Sequence, residues 1–353
     1  MTDQTTIKMN PVGRGSAIGF AALQRLYDAA EKIRALAPWD DLWETDIVTL
    51  VYPDRPEPIF CSMTGLTGQN CSVRVYAGYD QMAGFFRLTQ MAEGELPYYI
   101  PMAYQNCLTC HFGERQELMK EDIEQIQRLG FRLRSQNQWP YFRSYQTGYF
   151  PWLIDVDEAE IMTLALEGLA EALRYMQQTF LEVDFEGGET LYGQYDQETS
   201  GWQVFAGVMP PIPMITGRVM IDDELLITEL LRQKQTERQL ELELFYIPVP
   251  VEDERIPKPF YPRMAILAER QSGEMLDQCM LELQDKNSEV LMGILLQHIL
   301  EFGRPATVFV RDDITESFVW DLCGRLNIQL ETSVLLPAVE AIEEDMIQFV
   351  SRG

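Results

Sequence analysis

The sequence predicts a protein of two domains, an α+β domain with an antiparallel sheet followed by an α/β domain. Its 353 residues exceed the roughly 100 to 200 residues of a typical single domain. The first half groups short β-prone runs between turns, whereas the second half ends in a regular alternation of strands and helices. The predicted boundaries are 1–183 for the α+β domain, 184–236 for connecting strands and a helix, and 237–353 for the α/β domain.

The predicted first domain opens with a helix and a small meander. Apolar residues at helical spacing predict helices over 16–37, 79–91, 120–129 and 157–180, and Pro38 ends the first of them. Runs bounded by Pro- and Gly-bearing turns predict strands at 47–52, 59–63, 71–76 and 103–112. Because the first three runs follow one another across short turns, we expect an antiparallel meander. Residues 181–218 are rich in Gly, Pro and aromatic side chains, which predicts short strands and the connection between the domains.

The predicted second domain has a distinctive element order. After a helix over 222–235, strands are predicted at 240–249, 262–270 and 275–283, with a hairpin turn at Ser272-Gly273. A helix over 288–302, a strand at 306–310, a helix over 314–326, a strand at 328–331 and a helix over 337–350 follow. This alternation predicts parallel pairing through helical crossovers. Three strands followed by αβαβα is the order of a ribonuclease H-like domain, which is therefore the candidate fold for this part of the chain.

Charge and composition limit the classes of function. The chain has 28 Lys and Arg against 55 Asp and Glu, a net charge of -27. Because nonspecific nucleic-acid binding needs cations that neutralise phosphates, this balance disfavours a nucleic-acid partner. No window approaches the roughly 18 apolar residues of a membrane span, and the first ten residues lack the apolar core of a signal peptide. Together with six thinly spread cysteines, which indicate free thiols, these observations predict a cytoplasmic protein.

One motif resembles a known chemical signature. Cys107-Leu-Thr-Cys110-His111 matches C-x-x-C-H, the pattern of c-type haem attachment. The motif falls in a predicted strand, where alternation places Cys107 and Cys110 on opposite faces. Buried strand residues are therefore the favoured interpretation, while haem attachment and a thioredoxin-like or metal-binding role stay open. His111 and His298 are the two histidines of the chain, which leaves few bases for a Ser-His or Cys-His mechanism and no set of zinc ligands at standard spacing.

Carboxylates in the second domain are candidate metal ligands of a nuclease centre. In a ribonuclease H-like domain, metal ions are held by carboxylates from the first strand, the fourth strand and a helix. Taking 264–271 as the first strand, the candidates are Glu269, then Asp312 or Asp313, then Glu343, Glu344 or Asp345. The strand carries its acid near its end and none at its middle, so we expect an incomplete constellation.

The densest local signal is the segment 139–152, with seven aromatic residues, two prolines and one arginine. Trp, Tyr and Arg dominate the energetics of protein interfaces, and Arg can hold a carboxylate or stack on a ring. The alternative is core and turn packing, which commonly has this composition. The predicted binding residues are Trp139, Tyr141, Arg143, Tyr145, Tyr149 and Trp152.

Two groups of motifs resemble known domain families. The stretches 36–43, 105–118, 139–145 and 148–152 resemble an uncharacterised bacterial domain of unknown function. The stretches 303–312, 322–328 and 335–337 resemble a second uncharacterised domain that often follows the first. The resemblance implies a bacterial cytoplasmic protein of two domains, and it implies no activity, cofactor or catalytic residue.

The absence of catalytic motifs and the aromatic segment together predict a noncatalytic binding or adaptor protein that engages a protein or peptide. One alternative is a divergent or degenerate metal-dependent nuclease-like protein, which the element order of the second domain suggests. A second alternative is a regulator that binds a small molecule in a pocket of the first domain. The sequence indicates no cofactor, metal site or membrane partner, and it leaves the oligomeric state open.

Overall fold

The computed structural model describes residues 18–65, 70–91, 100–130, 139–214 and 217–350. The chain divides into two compact units. The first unit comprises Met1–Arg87, Tyr104–Pro213 and Glu252–Pro259, and the second comprises Leu88–Ala103, Met214–Val251 and Phe260–Gly353. Within the described residues, no helix combines the length and the apolar character needed to cross a membrane.

In the described residues, the sheet of the first unit has seven strands in the order β5-β4-β3-β2-β1-β6-β7. Their bounds are β1 (Val48–Val51), β2 (Ile59–Thr64), β3 (Ser72–Ala77), β4 (Cys107–Gly113), β5 (Trp139–Tyr145), β6 (Glu189–Asp196) and β7 (Gly201–Val208). The first three strands form the predicted antiparallel meander, and β4 and β5 extend it with antiparallel pairing. Strand β6 runs parallel to β1, so the complete sheet is mixed.

Among the described residues, four helices of the first half of the chain agree closely with the predicted ranges, and a short helix over 100–104 was not predicted. They are α1 (Phe20–Leu36), α2 (Tyr79–Met91), α3 (Ile100–Tyr104), α4 (Lys120–Arg128) and α5 (Val156–Thr179), with 3-10 turns at Pro38–Asp40 and Arg115–Glu117. Helix α5 begins with a capping box, since the Asp155 carboxylate accepts from the Glu158 amide and the Glu158 carboxylate accepts from the Asp155 amide, both at 2.9 Å. Apolar residues of α1 and α5 pack into one core with one face of the sheet.

Two features of the first unit differ from the expectation. The aromatic segment contains a complete strand, β5, at one edge of the sheet. Strands β6 and β7, which fall in the predicted connection 184–236, pair with the sheet of the first unit instead of lying apart from it. The reason is a non-local pairing, because the long helix α5 carries the chain back across the sheet to place β6 beside β1.

The second unit contains a sheet that, in the described residues, has five strands in the order β10-β9-β8-β11-β12. The strands are β8 (Gln239–Tyr246), β9 (Arg263–Glu269), β10 (Met275–Leu281), β11 (Thr307–Val310) and β12 (Gln329–Thr332). The helices are α6 (Glu224–Leu231), α7 (Asn287–Phe302), α8 (Asp313–Arg325) and α9 (Pro337–Val350). β8, β9 and β10 pair antiparallel, whereas β11 runs parallel to both β8 and β12. This order, with the first strand at the centre, is that of the ribonuclease H-like fold that the element order suggested.

The central strand β8 positions the acidic groups described below. Its sequence alternates leucine and glutamate, so Glu241 and Glu243 share one face and the leucines share the other. All of these residues are buried. Carboxylates rarely occupy a central strand that is covered on both faces, because burial without a partner is costly.

Candidate functional site

The predicted binding residues of the first unit lie on β5 and in the loop after it. Trp139, Tyr141, Arg143 and Tyr145 alternate along β5 and share one face of the strand. Tyr149 lies in the loop, and Trp152 returns to β5 through two backbone hydrogen bonds with Ser144, of 2.8 and 3.1 Å. Tyr141, Arg143 and Trp152 are buried, while Trp139, Tyr145 and Tyr149 are half-buried. The structure therefore brings four of the six side chains together on one strand face.

Arg143 is engaged by an acid within the protein. Its Nη1 and Nη2 donate to the two carboxylate oxygens of Asp122 at 3.0 and 2.6 Å, and Nη1 also donates to the Phe142 carbonyl at 2.7 Å. The side chains are 6% and 3% exposed. The guanidinium also lies 4.8 Å from the centre of the Tyr141 ring. Arg143 thus neutralises a buried carboxylate, which gives it a structural role beside the binding role that the sequence suggested.

A polar cavity adjoins β5. Its volume is about 500 Å³, and its lining includes Arg74, His111, Glu114, Glu117 and Tyr141. We call it the polar cavity. His111 stacks on Tyr141 with a centroid distance of 4.7 Å, and the Tyr141 hydroxyl donates to Glu117 Oε2 at 2.9 Å. These contacts fix the orientation of the rings that face the cavity.

Histidine 111 is uncharged at neutral pH. Burial, together with the positive charges of Arg143 and Arg74, lowers the pKa of His111 to about 3. Its Nε2 lies 3.4 Å from the Tyr145 hydroxyl. The imidazole can therefore serve as a hydrogen-bonding group, but its basicity is too low for efficient general-base catalysis near neutral pH.

The two cysteines of the C-x-x-C-H motif are separated by the sheet. Cys107 and Cys110 lie on β4 and are completely buried. Cys110 belongs to the core beneath α1 and α5, whereas Cys107 packs with Phe60 and Tyr76 in a second core. Burial raises the pKa of both thiols. The prediction of opposite faces is confirmed, and the two sulfur atoms do not face a common ligand.

The second unit contains a buried charged cluster, which we call the carboxylate–arginine centre. It consists of Glu241, Glu243, Arg270, Arg311 and Glu340. Arg311 Nε donates to Glu243 Oε2 at 2.6 Å, and Arg311 Nη1 donates to Glu340 Oε1 at 3.1 Å. The Arg311 and Glu243 side chains are 1% and 4% exposed. Such a pair needs close hydrogen-bonded geometry to offset the loss of hydration.

Glu241, the other β8 carboxylate of the centre, also has hydrogen-bond donors for both of its oxygens. Glu241 Oε1 accepts from Arg270 Nη1 at 2.6 Å. Glu241 Oε2 accepts from the amides of Ala338 and Val339, at 2.9 and 3.0 Å, in the first turn of α9. A helix N-terminus favours negative charge, so α9 and Arg270 together stabilise this buried carboxylate.

Burial controls the protonation of Glu243. Desolvation raises the pKa of Glu243 to about 7, although Arg311 opposes this shift, and the nearby negative charge of Asp312 adds to it. Asp312 itself accepts from the Thr315 amide at 2.7 Å and caps α8. Acids from the first strand and from the end of the fourth strand are thus close enough to interact.

The sequence assigned the first-strand acid to the wrong strand. The strand with Glu269 is β9, the second strand, and Glu269 accepts from the Ser272 amide at 2.5 Å in the β9–β10 hairpin. On α9, Glu343 is buried, while Glu344 and Asp345 are exposed. The first-strand acids are Glu241 and Glu243, which the sequence analysis did not single out. The alternation of Leu and Glu in 240–244 was the signal that could have identified them.

A metal site needs several ligand side chains that converge on one point. In the parts of the chain that the structure describes, no group of three or more His, Cys, Asp and Glu side chains is placed to hold a metal ion. The acids of the carboxylate–arginine centre are instead bridged by guanidinium groups.

Comparison with known proteins identifies two families. Residues 24–192 match the family model of a domain of unknown function (DUF7309), and residues 226–347 match that of a second domain of unknown function (DUF6930). No curated protein matches the chain significantly. One matching solved structure is titled "CryoEM structure of simian T-cell lymphotropic virus intasome in complex with PP2A regulatory subunit B56 gamma", with 12% identity and a TM-score of 0.25. That match covers 35% of this chain and 44% of the other, and at so low a TM-score it carries no argument about fold or function.

Proposed function

We propose that this chain, which combines the DUF7309 and DUF6930 domains, is a noncatalytic binding protein of the cytoplasm. The observation that carries the proposal is the buried ion pair of Arg311 with Glu243. In the ribonuclease H-like strand order, the middle of the first strand and the end of the fourth are where metal-binding acids would have to converge. A guanidinium lies at this position.

The charge of Arg311 argues against metal chemistry at the centre. A divalent ion about 4 Å from a guanidinium would be repelled by about 8 kcal/mol at an effective dielectric constant of about 20. Arg311 cannot relieve this repulsion by losing its proton, because arginine stays protonated in proteins. Its Nη1 also donates to the Val334 carbonyl, which holds the side chain in place.

Other features of the molecule support a binding role and a reducing environment. All six cysteines are free thiols, which suits the cytoplasm. The first unit holds the polar cavity beside β5, where uncharged His111 and the tyrosines offer hydrogen bonds rather than acid–base chemistry. Trp139, Tyr145 and Tyr149 are half-buried, so part of each ring is open to a protein or peptide partner.

The experiment that tests the proposal combines a nuclease assay with Mn²⁺ binding. The intact protein is incubated with labelled single-stranded DNA, duplex DNA, RNA and an RNA–DNA hybrid, in Mg²⁺ or Mn²⁺. We expect no cleavage above that of a Glu243→Gln, Arg311→Gln double variant. Cleavage that is lost in the Glu243→Gln variant would overturn the proposal.

Mn²⁺ binding followed by electron paramagnetic resonance gives a second readout. We expect no Mn²⁺ bound at the centre of the unmodified protein. A Mn²⁺ site in the unmodified protein that Glu243→Gln abolishes would contradict the role given to Arg311.

A further inference from the structure

A second cavity of the first unit, which we call the aromatic cleft, has a volume of about 700 Å³. It is lined by residues of α1 and α5, by the end of β1 and by the β6–β7 hairpin. Its residues play no part in the carboxylate–arginine centre or the polar cavity. The volume falls within the usual range for sites that bind small molecules, roughly 300 to 1,000 Å³.

Three aromatic rings form the floor of the cleft. Trp202 packs against Tyr52 and Tyr195 with centroid distances of 5.4 and 5.3 Å, and Tyr52 lies 6.1 Å from Tyr195. The Tyr52 hydroxyl donates to the Leu164 carbonyl at 2.7 Å, which ties the floor to α5. Trp202 and Tyr195 are only half-buried, so part of each ring is open to the cleft.

A glycine in helix α5 makes room for the Trp202 indole. Gly168 lies inside α5, and a Cβ atom there would come within 2.7 Å of Trp202 Cη2 and 2.9 Å of the Tyr52 hydroxyl. Glycine in a helix interior is less favourable than alanine. Helix α5 thus carries a residue of low helix propensity at the position where the Trp202 indole packs against it.

Charged groups of both signs line the walls. Arg25 donates to both oxygens of Glu167, at 2.8 and 2.5 Å, and Arg174 donates to Glu171 at 2.6 Å. Lys32 and Asp54, both exposed, complete a lining with three cations and three anions. The lining therefore has no net charge, and it presents planar guanidinium and carboxylate groups with free hydrogen-bonding positions.

We propose that the aromatic cleft binds a neutral, polyhydroxylated ring ligand, namely an oligosaccharide. Sugar rings present apolar C–H faces that pack on aromatic rings, and hydroxyl groups around their edges that both donate and accept. The cleft supplies both kinds of contact, with a rigid aromatic floor and paired acids and bases on the walls. This inference goes beyond the proposed function, because it assigns a ligand class to a cleft that the proposed function does not use.

Other ligand classes fit the cleft less well. A phosphate or carboxylate ligand would have to compete with Glu167 and Glu171 for Arg25 and Arg174, because no excess of cations is present. A fully apolar ligand would bury the charged walls without satisfying them, which costs free energy. An uncharged ligand rich in hydroxyl groups avoids both costs.

The test uses isothermal titration calorimetry of the full chain with maltotriose, cellotriose and tri-N-acetylchitotriose at millimolar concentration. At least one of these probes should bind. Replacement Trp202→Ala should weaken that binding by at least about tenfold, as expected for an aromatic hot spot. The matched control is Trp43→Ala, since Trp43 is 63% exposed and does not line the cleft, and it should leave binding unchanged.

A second variant controls for the case in which the Trp202→Ala protein misfolds. Tyr175 lines the cleft and is 45% exposed, so Tyr175→Ala should fold normally and still weaken binding. The proposal would be overturned if none of the three probes binds. It would also be overturned if the Trp202→Ala and Tyr175→Ala variants bind a probe as tightly as the unmodified protein does. Adenosine monophosphate serves as an anionic ring probe. If it binds in the cleft and the sugars do not, the proposed ligand class is wrong, whereas the proposed binding function is unaffected.

Discussion

Arg311 and Glu243 form a hydrogen-bonded ion pair of 2.6 Å in which both side chains are almost fully withdrawn from solvent. The two residues are distant in sequence and meet because β11 lies parallel to β8 at the centre of the second sheet. The pair therefore depends directly on the tertiary fold. It also has consequences that unfolding experiments can measure.

Removal of one member of this pair should destabilise the second unit strongly. In an Arg311→Met variant, Glu243 remains buried without its cation, and we expect a loss of about 3 to 5 kcal/mol in the free energy of unfolding. Replacing both residues, as Glu243→Leu with Arg311→Met, should recover most of that loss, because the charge that then lacks its cation is that of Glu340, which is 28% exposed. Urea unfolding of the three proteins measures the effect. Equal destabilisation by the single and double replacements would show that the pair is not coupled.

The Arg143–Asp122 pair should make a similar contribution to the first unit. An Asp122→Asn variant leaves the Arg143 guanidinium buried at 6% exposure, and we expect a loss of about 3 to 5 kcal/mol by urea unfolding. Glu124→Gln is the matched control on the same helix. Glu124 is 61% exposed in its ion pair with Lys120, and such surface pairs contribute at most about 1 kcal/mol. A loss in Asp122→Asn as small as in the control would contradict a structural role for Arg143.

Acid should destabilise the first unit through His111. The pKa of His111 falls from 6.5 to about 3 on folding, so below pH 6.5 the unfolded chain binds a proton that the folded chain does not. Stability contributed by this residue is complete above pH 6.5 and is lost as the pH falls towards 3, by up to about 1.4 kcal/mol per pH unit.

A comparison with a His111→Gln variant isolates this contribution. Between pH 6.5 and 4.5, the free energy of unfolding of the unmodified protein should fall more steeply than that of the variant. Nuclear magnetic resonance of the imidazole protons gives an independent check. A His111 signal that titrates near pH 6.5 in the folded protein would contradict the buried, uncharged imidazole.

The cysteines should differ sharply in reactivity. All six lie within the described residues, and Cys279 on β10 is the exposed one, Cys71 is half-buried and the others are buried. Because burial raises the pKa of a thiol and blocks access to it, Ellman's reagent should modify Cys279 at least about tenfold faster than any other cysteine. A Cys279→Ser variant should lose the fast phase. Rapid reaction of Cys107 or Cys110 in the folded protein would contradict their burial on opposite faces of β4.

Local patterns in the sequence predicted most of the elements. The helices α5 and α9 and the strands β8 and β9 occur within a few residues of the predicted ranges, because helical and alternating periodicity are local properties. The strand β5 was obscured by its own composition, since Pro140 and the crowded aromatic residues resemble a loop. The opposite orientation of Cys107 and Cys110 followed from strand alternation alone.

The candidate sites could be predicted from the sequence only in part. The aromatic segment was singled out from its composition, but its pairing of Arg143 with Asp122 depends on the packing of α4 against the edge of the sheet. Glu269 was assigned to the first strand of the second domain, although it lies on the second. The aromatic cleft joins residues of α1, β1, α5 and the β6–β7 hairpin, and no local motif links them.

By itself, the sequence determined that this chain forms two domains, where most helices and strands lie, and in which order they follow one another along the second domain. Those properties depend on periodicity and on turn residues, which act over a few neighbouring positions. The tertiary structure alone decided that β6 and β7 complete the first sheet, that Arg311 neutralises Glu243, and that Trp202 faces a cleft. Each of these depends on residues far apart in the chain, whose meeting is fixed by strand pairing and by the burial of charge rather than by local preference.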